Sequence, residues 1–287
     1  MPVTAGEILV QLLNGISIGL SIALIAAGLT LIFGVMDIVN FAHGEFYMLG
    51  AYGTIVILPL VGNFWLGLVL ASLGVGLFGA ALERLTLKPI RERDPLQSLI
   101  VTFGFILVLQ QLILEIFGGS PRGMPTPISG TINVAGITYP WVRIAAIVGA
   151  LAVLAALFVF LSKTRLGIHM RASAQDLDAA RTLGVRSDRV FSMSFAISTA
   201  LAALAAGFMA PIRGVSPTMG VGVIIDAFIV VIVGGLGSVV GAIVAALIIG
   251  LTQSMTVLVL PPYMSQIIAL GLLVIVLLVK PTGLFGE

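Results

Sequence analysis

Asp37, His43 and Glu45 lie close together around Asn40 in a stretch that is otherwise apolar or small, and Asp226 precedes 53 residues with no charge. Ionisable groups in such surroundings are expensive to keep and are retained where they face a path, a partner or water. Asn40, His43 and Glu45 have two readings: a solvated turn after the first apolar segment, or a break that lines a translocation path. Gly34, Gly44 and Gly50 relax the backbone there and favour the break. Asp226 reads equally as a path residue and as an interfacial carboxylate, while Glu115 reads as interfacial. His43 and His169 are the only histidines and there is no cysteine, so disulfides are excluded and a metal site has no ligand set. Gly74, Gly76 and Gly79 spell G-x-G-x-x-G inside an apolar run with no strand before it, which excludes dinucleotide binding. No Gly-Lys pair occurs, so a phosphate loop is absent and the chain has no such means of using a nucleotide itself. No nucleophile–base pattern supports an embedded enzyme.

The elements that position these residues are read from hydropathy. Of the 287 residues 59% are hydrophobic and 9% charged, against roughly 25% charged in soluble domains. Residues 8–36, 46–82, 190–212 and 227–279 carry no charge. This predicts an all-α, polytopic membrane helix bundle of eight or nine transmembrane helices, a single domain over residues 1–287. The candidate spans are Ile8–Phe33, Glu45–Pro59, Phe64–Leu82, Ser98–Phe117, Trp141–Leu161, Val190–Ala210, Val221–Val233, Val239–Leu260 and Tyr263–Val279. The second and seventh are short for a core of about 30 Å and read as broken or re-entrant. No Lys or Arg precedes the first span, which therefore reads as retained rather than as a signal peptide.

Ten of the 14 Lys and Arg residues fall in two segments, among them Arg84, Lys88, Arg91 and Arg93 in the first and Lys163, Arg165, Arg171, Arg181, Arg186 and Arg189 in the second. The positive-inside rule puts loops 84–97 and 162–189 in the cytoplasm and, with nine crossings, the N-terminus outside. The net charge of +2 gives no case for nucleic acid. The opposite loop, 118–140, is rich in Gly and Pro, and Thr131–Tyr139 alternates as a short strand or hairpin.

Residues 162–189 form the one extended polar segment. Ser173 and Asp176 match an S-x-x-D capping pattern, Leu177, Ala180 and Leu183 recur along one helix face, and Gly184 stands where a helix would end. The pattern predicts a helix of about three turns, too short to be stable alone. It would lie on anionic lipid headgroups or seat in a groove of a cytoplasmic partner. Gly15–Gly19 and Gly237–Gly241 are small-x-x-x-small spacings for close helix packing, and Gly234, Gly235 and Gly237 also offer a hinge. Phe33–Gly53 and Val221–Gly241 are faintly alike and suggest an internal repeat.

Asp178-Ala179-Ala180-x-x-x-Gly184 resembles the E-A-A-x-x-x-G cytoplasmic motif of ABC importer permeases, with Asp for Glu. Asn14–Tyr52, above all N-F-A-H-G-E-F-Y-M-L-G-A-Y at Asn40–Tyr52, resembles the permeases of branched-chain amino acid ABC transporters, and G-G-L-G-S-V-V-G-A at Gly234–Ala242 is similar to a further stretch of that family. The resemblance covers nearly the whole chain and fits the shorter of two paired permease types. Ser21 departs from it, since many relatives carry tyrosine there. The resemblance implies a bacterial-type inner membrane and a coupling helix with Asp178, Ala179, Ala180, Leu183 and Gly184 at the ATPase contact, while Asn40, His43, Glu45 and Asp226 remain the path candidates that their polarity alone suggests. It also implies a second permease subunit, two ATPase subunits that carry ATP and Mg, an extracytoplasmic solute-binding protein and an amino-acid substrate. It leaves open urea or short amides as substrates. Composition alone leaves open a stand-alone channel or secondary transporter.

Overall fold

The structure is a computed structural model that describes residues 4–91, 95–134 and 136–286; Arg93 lies outside them. In chain order the elements are α1 (Ala5–Met36), α2 (His43–Val61), α3 (Phe64–Leu82, continued by a π-helical turn at Glu83–Leu87), α4 (Pro95–Phe117), β1 (Thr131–Val134), β2 (Ile137–Pro140), α5 (Trp141–Lys163), α6 (Arg165–Gln175), α7 (Leu177–Thr182), α8 (Ser187–Arg213), α9 (Met219–Gly234), α10 (Val239–Thr256) and α11 (Tyr263–Val279). Among the described residues seven helices are long and apolar enough to cross a membrane, and α9 and α11 are shorter apolar helices. The fold is a polytopic helical bundle. Its strands form one antiparallel hairpin, β1–β2, with Thr131 opposite Pro140.

The 32 residues of α1 make a rod of about 48 Å. A capping box starts it, in which Thr4 accepts from the Glu7 N–H and Glu7 accepts in return. At the other end Asp37 adopts φ 51°, the left-handed conformation that turns the chain back. The first turns of α1 lie by the hairpin, with Gly6 against Ile137, and its last turns lie by Gly237 and Ala174 of α6. The bundle thus has a hairpin end and a basic end.

Helix α2 does not start where α1 stops. The His43 Nε2 atom is 3.2 Å from the Ile25 carbonyl, which lies about 16 Å back along α1 at 1.5 Å per residue. Residues 37–42 therefore re-enter the bundle, and α2 starts inside it. Helix α9 does the same from the other side: residue 215 pairs with Arg122 at the hairpin end, yet Gly220 lies against Gly44. The two readings of short spans as re-entrant are thus one symmetric feature.

The contacts of α1–α3 and α8–α10 obey an inverted repeat. Helix α1 packs on α10 as α8 packs on α3; α2 packs on α3 and α8 as α9 packs on α10 and α1; and α2 meets α9. The turns match too. Gly62 (φ 65°) ends α2 and Asn63 caps α3, while Gly235 (φ 103°) ends α9 and Ser238 caps α10. The faint sequence repeat was therefore in the wrong register: Asp37 precedes α2, but Asp226 lies within α9.

Small residues set the close approaches. Gly15 and Gly19 of α1 lie against Gly250–Leu251 and Ala246–Leu247 of α10. The paired reading of Gly237 and Gly241 is corrected. Gly237 sits in the α9–α10 turn at φ 86°, outside any helix, and Gly241 instead packs on Gly234. Gly234, Gly235 and Gly237 are accordingly a turn between two helices rather than a hinge within one. The approach of α2 to α9 is mutual, because a Cβ on Gly44 would sit 2.3 Å from the Gly220 carbonyl and one on Gly220 would sit 2.6 Å from the Gly44 carbonyl.

Gly44→Ala and Gly220→Ala are each expected to lower stability by about 1–3 kcal/mol through overpacking, read as a fall in the detergent unfolding midpoint. Gly222→Ala in α9, with open space at its Cβ, is the control and should hold or raise the midpoint.

Candidate functional site

Three polar levels interrupt the apolar bundle. The middle level is the start of α2. Asn40 and His43 are 0% exposed and Glu45 is 1% exposed, which rules out the solvated turn. The Glu45 Oε1 atom accepts from the Gln110 amide of α4 at 2.9 Å. His43 is wedged between α1 and α8, beside Gly28 and the Ser198 carbonyl. Its Nε2 faces a carbonyl and so carries the proton. Among the described residues, the Nδ1 of His43, both amide atoms of Asn40, the Glu45 Oε2 and the Ser194 and Ser198 hydroxyls have no hydrogen-bond partner. Buried polar atoms in this state are costly and mark sites of water, ligand or movement.

Asp226 stands apart from that level. It is half-buried on α9 and accepts from Gln253 of α10 at 3.1 Å and from Gln266 of α11 at 3.5 Å. Sequence reasoning missed Gln110, Gln253 and Gln266. The signal was present, since each is an amide in an apolar helix. At the hairpin end, burial pushes the Tyr139 phenol above its ordinary range against the pull of Arg143. Among the described residues no three His, Asp or Glu side chains converge as metal ligands.

The basic-end level is built from α6 and α7. The single three-turn helix is corrected to two pieces. Asp176 takes an extended conformation (φ −154°, ψ 106°), closes α6 with its N–H and starts α7 by accepting from the Ala179 N–H at 2.9 Å. Asp176 is thus the cap, and Ser173 is a buried residue of α6 whose hydroxyl has no partner among the described residues. Gly184 (φ 86°) ends α7 in a Schellman turn: its N–H donates to the Arg181 carbonyl at 2.9 Å and the Val185 N–H donates to the Ala180 carbonyl at 3.0 Å. Ala180 is buried, but Leu183, past the last helical residue, is 86% exposed, so the three apolar positions do not share one covered face. Asp178 and Leu183 project outward instead.

A charged network holds this end together. Asp188 at the start of α8 takes Lys88 at 2.8 Å and also Arg91. Arg91 stacks on Phe191 at 4.5 Å. Ser192 donates to the buried Glu83 at 2.7 Å and accepts from Arg84 at 3.1 Å. The basic residues at the end of α3 thereby clasp the first turns of α8, immediately after α7.

Paired half-buried helix starts inside an inverted-repeat bundle define a membrane-transport fold. The family model "Branched-chain amino acid transport system / permease component" matches residues 11–277, and the chain belongs to that family. It is 32% identical to the high-affinity branched-chain amino acid transport system permease protein BraD of Pseudomonas aeruginosa, over 96% of this chain and 95% of the relative. It is 33% identical to the corresponding protein LivH of Escherichia coli, over 96% and 95%. Among solved structures, PsaBC from Streptococcus pneumoniae in complex with Fab shares the fold, with a TM-score of 0.50 at 12% identity over 95% of this chain and 92% of that one.

Glu45→Leu is expected to lower the unfolding midpoint by leaving the Gln110 amide unpaired, at a cost of about 1–3 kcal/mol. The double change Glu45→Leu/Gln110→Leu should recover part of the loss, which a double-mutant cycle of detergent melting curves measures.

Proposed function

We propose that this chain is the permease subunit of a binding-protein-dependent ABC importer that carries branched-chain amino acids into the cytoplasm. The family match over residues 11–277 carries this reading, and the exposed, doubly capped α7 supports its coupling part. The assembly would be one transmembrane unit per chain, a second permease, two ATPases that bind ATP and Mg, and an extracytoplasmic solute-binding protein. The positive-inside rule assigns the basic end to the cytoplasm of a bacterial-type inner membrane, which leaves the hairpin end for the binding protein.

The geometry supplies a route for force. In this reading the α7 elements Asp178, Ala179, Ala180, Leu183 and Gly184 seat on the ATPase. Only residues 183–186 separate α7 from α8, and the Arg181 Nε donates to the Ser187 hydroxyl at 3.3 Å across that link. A displacement of α7 therefore pulls on α8. Helix α8 meets α2 backbone to backbone, where a Cβ on Gly50 would sit 2.3 Å from the Ala203 Cα. Movement of α8 thus reaches Asn40, His43 and Glu45 at the start of α2 without passing through flexible side chains, and Asp226 on α9 follows through the Gly44–Gly220 contact.

Leu183→Asp tests the seat, since an exposed side chain contributes little to the fold. In proteoliposomes holding the whole assembly it should lower ATP-driven leucine uptake at least about tenfold, equivalent to roughly 1.4 kcal/mol of coupling, with insertion unchanged. Wild-type uptake by this variant would contradict the seat. Because the chain has no cysteine, Leu183→Cys also reports orientation: a membrane-impermeant thiol reagent should label it only from the cytoplasmic side.

A further inference from the structure

At the hairpin end α1, α5, α8, α10 and α11 surround a cavity of roughly 310 Å³, at the lower end of the range for small-molecule sites. Two guanidinium groups line it from different helices, Arg143 of α5 and Arg213 at the end of α8. Arg143 is held in place, donating to the Asn14 Oδ1, which also accepts from the Tyr139 hydroxyl at 3.3 Å. Arg213 is exposed and makes no side-chain hydrogen bond among the described residues. Ser17 of α1 lines the cavity, is 4% exposed, and has a hydroxyl without a partner among the described residues. On the α9 side, Gln253 lines the cavity and its amide is bonded to Asp226. The cavity therefore offers two cations at its walls, an unused hydroxyl buried within it, and a carboxylate behind one amide.

We propose that this cavity is a receiving site for a free zwitterionic amino acid, with the α-carboxylate on Arg213 and Arg143 and the ammonium toward Asp226 and its amides. The proposal rests on the import reading and adds a location to it. An unmade hydrogen bond deep in the bundle calls for a small ligand that fills the space. An acidic side chain from a docked protein would satisfy the arginines but bring no cation for Asp226.

The chain has no cysteine, so a single Ser265→Cys at the cavity wall reports occupancy in the assembled transporter in lipid nanodiscs. L-Leucine should slow its modification by a methanethiosulfonate reagent about tenfold at ten times the leucine Kd, because only the empty fraction reacts. Leucinamide and isopentylamine, which lack the carboxylate, should not protect. Arg213→Gln should abolish protection and Arg213→Lys should retain most of it. Uptake by the wild-type assembly is measured in parallel. Leucine uptake without protection at Ser265→Cys, or at Ser17→Cys as a second reporter, overturns the receiving site and leaves the transport reading intact. Failure of both cysteines to react overturns the open cavity. Protection given by the binding protein with or without leucine assigns the cavity to a protein side chain and overturns the proposal. No uptake of any amino acid contradicts the transport reading, and protection by leucine in that case still upholds the cavity.

Discussion

Helix α2 begins inside an apolar bundle and α9 begins at its flank against α2, where the first N–H groups of each helix need carbonyl partners from the protein itself. The chain solves this with short turns that bring carbonyls to the helix starts. His43 donates to the Asn40 carbonyl at 3.3 Å and Glu45 to the Ala42 carbonyl at 2.9 Å; Met219 donates to the Ser216 carbonyl at 3.2 Å and Val221 to the Thr218 carbonyl at 3.3 Å. The two starts then press together, glycine on glycine, at Gly44 and Gly220. No other residue type fits, because each glycine faces the carbonyl of the other. The inverted repeat, the re-entry of residues 37–42 and the burial of Asn40, His43 and Glu45 all follow from this crossing.

Around the crossing the remaining helices form two matched walls, α1 with α10 and α3 with α8, each closed by small residues. Many large apolar side chains on α3, α4, α5 and α11 point away from the protein, with Leu77 at 73% and Leu278 at 80% exposure, as suits lipid or a second permease. Polar groups are gathered at three levels between these walls: the cavity of Arg143, Arg213 and Ser17, the buried cluster around Asn40, and the ion network of Glu83, Lys88, Arg91 and Asp188. Under the import reading a substrate meets the first two in turn, while the third keeps α8 tied to the basic end next to the helix that would receive the ATPase stroke.

The fold was legible in the sequence because its signals are local. Charge-free runs mark spans, basic clusters mark one end, and the alternation at Thr131–Tyr139 marks the hairpin. Re-entry was legible as shortness of two apolar runs, yet the depth of His43 was not, since it depends on a contact with Ile25 that no spacing encodes. The cap of α7 was misread because Ser173 and Asp176 both suit an N-cap; the extended backbone at Asp176 decides between them. Gly237 was misread for a related reason: small-x-x-x-small spacing says nothing of whether both residues lie in a helix. The cavity residues come from five helices far apart in sequence, and their convergence is a property of the packing alone.

In the proposed import reading, transport of an amino acid through this chain is driven by partner ATPases and fed by a binding protein. Uptake of radiolabelled leucine into proteoliposomes containing this chain, the second permease, both ATPases and the binding protein tests it most directly. Uptake should stop when either ATP or the binding protein is omitted. Leucine flux through this chain alone, down a gradient and without ATP, would contradict it and identify a channel or secondary transporter.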